Sequence, residues 1–253
     1  METIVVKIGG VASDNLTPSF FETIADWQAA GKKVVIVHGG GHYISEMMEK
    51  MALTVTIKDG LRVTDPQTLE VTRMVLLGQV QPLITTAFQQ AGFHAVGLNA
   101  GCDQLIQGEV IDEEKLGHVG KVQQINAAFL QLLTEKKHVP ILAPLGITPE
   151  GQWLNINADE VACQVAASLQ AEKLYLLTDV PGIKQECKWL SAVSFEEIPR
   201  LIAEEVVTGG MLPKLKSAEK ALKAGVASVC ITDRVDRLGT QILAATPAAA
   251  VCG

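Results

Sequence analysis

The feature that most constrains the fold is a series of short runs of valine, isoleucine and leucine, separated by longer stretches with helical periodicity. Six runs predict strands: Thr3–Ile8, Lys33–Val37, Ala95–Leu98, Val139–Ala143, Lys173–Thr178 and Ser228–Thr232. They are apolar throughout, as expected for strands that helices cover on both faces. The pattern therefore predicts an α/β protein, a three-layer αβα sandwich around a mainly parallel open sheet.

Between these runs, apolar residues recur at intervals of three and four positions, which is typical of helices that bury one face. The predicted helices are Pro18–Ala30, Ile44–Met51, Pro66–Ala91, Asn126–Lys136, Ala158–Leu169, Phe195–Glu205 and Pro213–Ala224. Gly31, Gly92 and Gly225 follow three of them, where a left-handed C-terminal cap is expected.

One segment, Leu105–Ile125, resembles a hairpin instead. Gly108 and Gly117 are predicted to lie at its turns, and we expect the hairpin to form a flap near a ligand. Beyond it, a fresh strand begins near Leu174 without any linker rich in proline, glycine or serine. If the chain has two lobes, they therefore share one sheet.

Length and composition fit a folded enzyme with one large domain or two fused lobes. The chain has 253 residues, of which 48% are hydrophobic, and its net charge of -7 argues against binding to nucleic acid. Five scattered cysteines form no C-x-x-C pair, which favours reduced thiols over a disulfide framework or a zinc site. The sequence shows neither a signal peptide nor about twenty consecutive apolar residues, so we expect a cytoplasmic protein with no membrane partner.

Two glycine-rich turns at predicted strand ends are candidate phosphate sites. KIGG at Lys7–Gly10 closes the first strand, and HGGG at His38–Gly41 closes the second strand ahead of a helix. Backbone N–H groups in such turns suit an anion, although a structural turn is an equal alternative for the first motif. His38 and His42 lack a carboxylate or cysteine at ligand spacing, which favours local hydrogen bonding over catalysis. The chain has no G-x-x-x-x-G-K-[ST] motif and no dinucleotide fingerprint, which disfavours the familiar nucleotide folds.

Three polar residues indicate a site for an acidic ligand. Arg62 in GLRVT matches a carboxylate with two parallel hydrogen bonds, and the alternative is a solvated surface arginine. Asn155 and Asp159 lie on either side of Asn157, which is a predicted helix N-cap. They are free to contact a ligand or to hold lysine side chains in place.

Two later turns complete the set of candidate residues. Asp179 and Gly182 follow a predicted strand, at the position where open α/β sheets bind ligands. Gly209 and Gly210 precede a helix that has Lys214 in its first turn. A lysine there opposes the helix dipole and indicates a bound anion, with a solvated lysine as the alternative.

Together these motifs resemble the amino acid kinase family, and within it the acetylglutamate kinases of arginine biosynthesis. They occur in order along nearly the whole chain: KIGG at Lys7–Gly10, HGGG at His38–Gly41, GLRVT at Gly60–Thr64, GHVG at Gly117–Gly120, NINAD at Asn155–Asp159, TDVPGI at Thr178–Ile183, GGMLPK at Gly209–Lys214 and LGTQI at Leu238–Ile242. The resemblance implies the amino acid kinase fold. It also implies an N-terminal lobe, residues 1–171, for substrate binding and dimerisation, and a C-terminal lobe, residues 172–253, for ATP.

The resemblance further implies roles for individual residues. Lys7 and Lys214 would stabilise the transferring phosphoryl group, and Asp159 would orient both lysines. Substrate contacts are implied for Gly40, Gly41, Arg62 and Asn155. Phosphate or ATP contacts are implied for Gly9, Gly10, Asp179, Gly182, Ile183, Lys184, Thr208, Gly209, Gly210 and Met211. No metal site on the protein is implied, because Mg²⁺ would arrive with ATP.

The implied reaction is ATP-dependent phosphorylation of the side-chain carboxylate of N-acetyl-L-glutamate. Such a carboxylate, with a pKa of about 4.3, is already an anionic nucleophile at neutral pH and requires no general base. A family member that acts on a related carboxylate such as aminoadipate is one alternative. A non-catalytic amino-acid sensor is another, although Lys7, Lys214 and Asp159 argue against it.

The resemblance also gives an expectation about assembly and regulation. Family members inhibited by arginine carry an extra N-terminal helix, whereas Met1 and Glu2 alone precede the first predicted strand. We therefore expect an arginine-insensitive homodimer. Its interface would involve the apolar face of Pro66–Ala91.

Overall fold

The computed structural model describes residues 2–9, 16–186, 188–204, 206–207 and 211–243. The strands in these ranges are β1 (Thr3–Ile8), β2 (Lys33–His38), β3 (Ile57–Lys58), β4 (Leu61–Arg62), β5 (Ala95–Leu98), β6 (Ile106–Val110), β7 (Val119–Ile125), β8 (Val139–Leu142), β9 (Leu145–Ile147), β10 (Trp153–Ile156), β11 (Lys173–Leu177), β12 (Lys184–Gln185), β13 (Lys188–Trp189), β14 (Ala192–Ser194), β15 (Ser228–Thr232) and β16 (Thr240–Leu243). The α-helices are α1 (Pro18–Ala29), α2 (Gly41–Lys50), α3 (Pro66–Val75), α4 (Gln81–Gln90), α5 (Glu113–Leu116), α6 (Ala127–Glu135), α7 (Ala158–Ser168), α8 (Ile198–Ala203) and α9 (Met211–Lys223).

Eight strands form one central sheet in the order β14-β16-β15-β11-β1-β2-β8-β5. Neighbouring strands run parallel except β15 and β16, which are antiparallel. The sheet continues across the predicted lobe boundary, because β1 pairs with β11 from Ile4 opposite Lys173 to Lys7 opposite Leu176. Residues from both halves of the chain are thereby held in one rigid frame.

Side chains of the central strands alternate between two apolar clusters, one on each face of the sheet. Val5 and Val35 belong to the first cluster, together with residues of α6, α7, α8 and α9. Val6 and Ile36 belong to the second, together with residues of α1, α2, α3 and α4. Helices on both faces explain why the strands are apolar throughout. The structure confirms the three-layer αβα sandwich around a mainly parallel sheet.

The predicted strands and helices are all present, with ends that differ by a few residues. Gly31, Gly92 and Gly225 have positive φ angles of 80°, 91° and 97°, as predicted for C-terminal caps. Cys102, Cys163 and Cys230, the cysteines within the described ranges, are all free. None of the helices in those ranges has the length and apolar character needed to span a membrane.

The longest predicted helix is interrupted by a π-helical turn. This turn, Leu76–Val80, joins α3 to α4 directly before Pro82. Pro82 has no N–H to donate to the preceding turn, and its ring would contact a carbonyl of that turn. The wider π turn makes room for the proline ring. The buried Gln81 side chain donates to the carbonyls of Leu98 and Ile141 at 2.8 and 3.0 Å. Gln81 thereby ties the helix to the carboxyl ends of β5 and β8.

The predicted hairpin Leu105–Ile125 is present as β6 and β7, but one of its predicted turns is wrong. Gly108 lies inside β6, opposite Val122, while Gly117 lies in the connection between the strands. At Gly117, φ is 67°, and a Cβ would lie 2.3 Å from the carbonyl oxygen of Thr64. The glycine thus lets the hairpin tip approach the backbone next to β4.

The sequence analysis did not predict that β6 and β7 close into a small barrel with β9 and β10. The barrel interior is narrow: a Cβ on Gly146 would lie 2.5 Å from Cδ1 of Ile156. A Cβ on Gly120 would lie 2.7 Å from Cδ1 of Leu154. Glycine at such contacts lowers strand propensity, which conceals these strands in the sequence.

His38, the last residue of β2, is fully buried. Its Nδ1 lies 2.8 Å from the carbonyl oxygen of Gly39, which accepts the proton of the neutral ring. Burial lowers the pKa of His38 to about 4, against an opposing contribution from the bond to Gly39. A neutral, enclosed imidazole supports the local hydrogen-bonding role over a role as general base.

We predict that His38 titrates near pH 4 and makes the fold less stable in acid. The unfolded chain binds this proton at higher pH than the folded chain, so the free energy of unfolding decreases as pH falls from about 6.5. The decrease approaches ~1.4 kcal/mol per pH unit until about pH 4. NMR titration of the imidazole and urea unfolding across this range measure the two quantities.

The variant His38→Asn should lose this part of the pH dependence. The exposed His42 provides the control, since His42→Asn should retain it. An imidazole of His38 that titrates near its ordinary value would contradict the prediction.

Candidate functional site

The carboxyl ends of four adjacent parallel strands, β15, β11, β1 and β2, meet at one edge of the sheet. Ligands of open α/β sheets bind at such edges. Lys7 is the penultimate residue of β1. Asp159 lies in the first turn of α7, where the Asn157 side chain accepts its N–H at 2.8 Å and caps the helix. Lys214 lies in the first turn of α9.

The carboxylate of Asp159 joins the two lysines. Its Oδ1 lies 2.9 Å from Nζ of Lys7, and its Oδ2 accepts a hydrogen bond from Nζ of Lys214 at 3.0 Å. The side chains of Lys7, Asp159 and Lys214 are 10%, 9% and 14% exposed. The structure thus brings together the three residues that the sequence analysis predicted to be catalytic.

Burial and charge act in opposite directions within this cluster. Burial alone would raise the pKa of Asp159, but the ammonium groups of Lys7 and Lys214 outweigh it and hold that pKa below its usual value. Burial lowers the pKa of Lys7, although the Asp159 carboxylate opposes this shift. With both lysines protonated, the cluster has a net positive charge and attracts an anion.

Two cavities meet at Lys7. The larger, about 530 Å³, is lined by Lys7 and Lys214 and by Gly9 and Asp179. The smaller, about 330 Å³, is also lined by Lys7, and here Asp159 contributes to the wall. A group held at Lys7 is therefore accessible from both sides, as transfer between two bound molecules requires.

The smaller cavity contains the predicted substrate-binding residues Gly40, Gly41, Arg62 and Asn155. The Arg62 guanidinium is fixed, since Nη2 donates to the Gly41 carbonyl at 3.0 Å and to Oγ of Ser45 at 2.7 Å. This arrangement favours a fixed guanidinium over a freely solvated one. A fixed guanidinium on a cavity wall suits a carboxylate ligand.

Asn155 is oriented by Thr64, a residue to which the sequence analysis gave no role. Nδ2 of Asn155 donates to Oγ1 of Thr64 at 3.0 Å, and that hydroxyl donates to the carbonyl of Arg62 at 2.7 Å. Gly40, which lines the same cavity, packs tightly, because a Cβ on this residue would lie 2.6 Å from Cδ2 of Leu76. Asn155 and Gly40 are thus both held in place by neighbouring residues.

The predicted nucleotide-binding residues divide between two places. Gly9 and Asp179 line the larger cavity, whereas Gly182, Ile183, Lys184 and Met211 line a third cavity of about 210 Å³ together with Trp189. Met211 and Lys214 stand on the same turn of α9 and so connect the two cavities. Gly10, Thr208, Gly209 and Gly210 lie outside the described residues.

Sequence reasoning missed one loop of the larger cavity. Asp233, Arg234 and Asp236 follow β15 and line this cavity, and Arg234 donates to Oγ of Ser19 on α1 at 3.2 Å. Arg234 forms an ion pair with Asp236. The strand Ser228–Thr232 was predicted, and the rule that ligands bind beyond strand ends would have identified this loop. Within the described ranges, no cluster of three or more histidine, cysteine or acidic side chains is arranged to hold a metal ion.

Comparison with known proteins shows the family to which the chain belongs. The amino acid kinase family matches residues 2–233. Acetylglutamate kinase of Listeria monocytogenes serotype 4b (strain CLIP80459) is 52% identical over 240 residues, which cover 95% of this chain and 96% of the relative. Acetylglutamate kinase of Leuconostoc citreum (strain KM20) is 44% identical over 239 residues, 94% of this chain and 98% of the relative.

A solved structure extends the agreement to the fold. The crystal structure of smu.665 from Streptococcus mutans UA159 superposes with a TM-score of 0.91 at 39% identity. The match covers 96% of this chain and 99% of that chain. The resemblance inferred from the motifs is thereby confirmed, and the chain belongs to the amino acid kinase family, among its acetylglutamate kinases.

Proposed function

We propose that this kinase transfers the γ-phosphoryl group of ATP to the side-chain carboxylate of N-acetyl-L-glutamate, a reaction of arginine biosynthesis. The observation that carries the proposal is the buried cluster of Lys7, Asp159 and Lys214 at the junction of two cavities. The acceptor would occupy the smaller cavity, and the phosphates of ATP would occupy the larger one.

The cluster suits the charge that moves during phosphoryl transfer. The transferring group distributes negative charge over its oxygens between the attacking and leaving atoms, so catalysis depends on alignment and electrostatic stabilisation. Lys7 and Lys214 supply two ammonium groups, and Asp159 fixes both before substrate binds. The acceptor carboxylate is already ionised at neutral pH, which is consistent with the role of His38 as a buried neutral residue.

The two ends of the acceptor would be bound differently. In our proposal, Arg62 binds the α-carboxylate, while Asn155 contacts the neighbouring polar groups. The reacting carboxylate then points towards Lys7, which lines the same cavity. Fixed contacts at one end of a small substrate reduce the entropy that must be lost before reaction at the other end.

The larger cavity fits a nucleotide that carries Mg²⁺. Asp179 lines the same cavity as Lys7 and Lys214, and we expect it to contact the nucleotide. Mg²⁺ would arrive with ATP and would neutralise phosphate charge. The base of ATP would extend towards the third cavity, where Gly182, Met211 and Trp189 lie.

We propose that residues 1–171 form the lobe for the acceptor and for dimerisation, and that residues 172–253 form the lobe for ATP. Every residue that lines the smaller cavity belongs to the first lobe, which supports the first assignment. The larger cavity is lined by residues of both lobes, so the nucleotide would contact both.

Use of ATP is consistent with a cytoplasmic location. Cell fractionation followed by an activity assay tests this location.

A homodimer would use the long helix that α3 and α4 form. Met74 and Leu83 on this helix are 50% and 55% exposed, although large apolar side chains are usually buried. We predict a sedimentation mass of twice the 27.0 kDa of one chain. The double variant Met74→Asp, Leu83→Asp should sediment as a monomer.

The control for this experiment is Leu132→Asp. Leu132 on α6 is also 55% exposed but lies on the opposite layer of the sandwich. A wild-type monomer, or dissociation caused equally by the control, would contradict the proposed interface.

Substrate identity is tested with a hydroxamate assay, which traps acyl phosphates. We predict turnover with N-acetyl-L-glutamate, ATP and Mg²⁺, and its loss on chelation of the metal. L-Glutamate, L-aspartate and aminoadipate serve as matched acidic acceptors that lack the acetyl group. Turnover with aminoadipate but not with N-acetyl-L-glutamate would instead support the related-carboxylate alternative, and no turnover at all would support a sensor.

We predict that Lys7→Ala and Lys214→Ala each reduce kcat by roughly 100- to 1,000-fold, as expected when one preorganised electrostatic stabiliser is lost. Lys216 provides a matched control, because it lies on the same helix as Lys214 but is exposed and lines a different cavity. Lys216→Ala should leave kcat within about twofold, since surface substitutions have small effects. Near-normal turnover in both active-site variants would show that the reaction occurs elsewhere.

A further inference from the structure

The hairpin of β6 and β7 contains a β-bulge whose backbone is bonded to a distant helix. Gln107 pairs with Gln124 and Gly108 pairs with Val122, so Gln123 is an extra residue in β7. A bulge interrupts the ladder locally and leaves backbone groups without cross-strand partners. Val122, beside the bulge, is half-buried, and a backbone N–H removed from water is unfavourable without an acceptor.

Glu160 accepts a backbone N–H beside this bulge. Its Oε1 accepts the backbone N–H of Val122 at 3.0 Å, across 38 residues of sequence. A carboxylate that accepts an amide N–H makes a stronger bond than a neutral acceptor. The bond therefore fixes the bulge of β7 against the first turn of α7.

Glu160 and Asp159 are held by the same N-cap residue in the first turn of α7. Oδ1 of Asn157 accepts the N–H groups of both residues, at 2.8 Å for Asp159 and 3.3 Å for Glu160. One capped helical turn thus presents one carboxylate to the two lysines and the next carboxylate to the hairpin. Any movement of β7 relative to Asp159 must stretch the bond to Val122.

The strand that Glu160 holds forms part of the wall for the acceptor. Val119, at the start of β7, lines the smaller cavity and pairs with Asn155 of β10. Glu160 itself lines neither the smaller nor the larger cavity. We therefore expect it to act on the acceptor through the position of β7.

We propose that Glu160 is a positioning residue that holds the acceptor-binding wall of β7 at a fixed position relative to Asp159. Its carboxylate clamps the bulge, so that Val119 and Asn155 keep a constant distance from the phosphoryl-binding lysines. This inference rests on the proposed function for its kinetic consequence, while the clamp itself is independent of the substrate.

The clamp is tested by amide hydrogen exchange of the enzyme without substrates, followed by NMR. In Glu160→Ala, the Val122 amide should exchange roughly tenfold faster, as expected for a lost hydrogen bond to a charged group. Glu160→Gln retains a carbonyl acceptor and should stay within about threefold of the wild-type rate. Thermal unfolding of each variant checks that the chain remains folded.

The kinetic consequence is a change in KM for the acceptor. In Glu160→Ala, KM for N-acetyl-L-glutamate should rise about tenfold while kcat and KM for ATP change little, because acceptor binding is affected in the ground and transition states alike. Glu160→Gln should restore most of the affinity. Lys121→Ala is the control, since it removes the exposed ion pair to Glu109 on the same hairpin.

Three results would overturn the inference: unchanged exchange of Val122 in Glu160→Ala, a loss of kcat without a change in KM, or equal effects of Lys121→Ala. If wild-type enzyme does not phosphorylate N-acetyl-L-glutamate, the proposed function fails. The exchange of Val122 still decides whether the clamp exists.

Discussion

The ion cluster of Asp159 with two buried ammonium groups is the interaction on which the rest of the site depends. Lys7 and Lys214 would repel each other without the carboxylate between them, and breaking a buried pair by removal of one partner costs about 3–5 kcal/mol. Lys214 also opposes the dipole of its own helix. A negative charge at Asp159 compensates both conflicts and leaves one excess positive charge for a phosphoryl group.

Two of the three layers of the sandwich contribute to this cluster. The central sheet provides Lys7 at the end of β1, while α7 and α9, both packed on the same face, provide Asp159 and Lys214. Because β1 pairs with β11 across the lobe boundary, the position of Lys7 is fixed relative to both halves of the chain. The barrel then adds the acceptor wall through β7 and β10. Preorganised charge of this kind needs no rearrangement when substrate arrives, which is how electrostatic catalysis gains its advantage over water.

The sequence predicted those parts of the fold and site whose physical cause is local. Continuous apolar runs identified the central strands, and glycines with positive φ identified the helix ends, because both patterns follow from burial or backbone sterics at the residue itself. Asp159 was found for a related reason. Asn157 satisfies the helix N-terminus, so the next acidic residue was free for another role.

The remaining features depend on contacts between distant segments, which leave little trace in the local pattern. Gly120 and Gly146 are required by the side chains of Leu154 and Ile156 across the barrel, yet in the sequence they are poor strand formers. Thr64 looks like an ordinary loop residue until its hydroxyl meets Asn155. Likewise, Glu160 has the appearance of a surface acid in the first turn of a helix, and its partner is the backbone N–H of Val122 beside a bulge. Residues that act through the backbone of another segment have no side-chain partner to reveal them, so they are the class of functional residue for which coordinates add most.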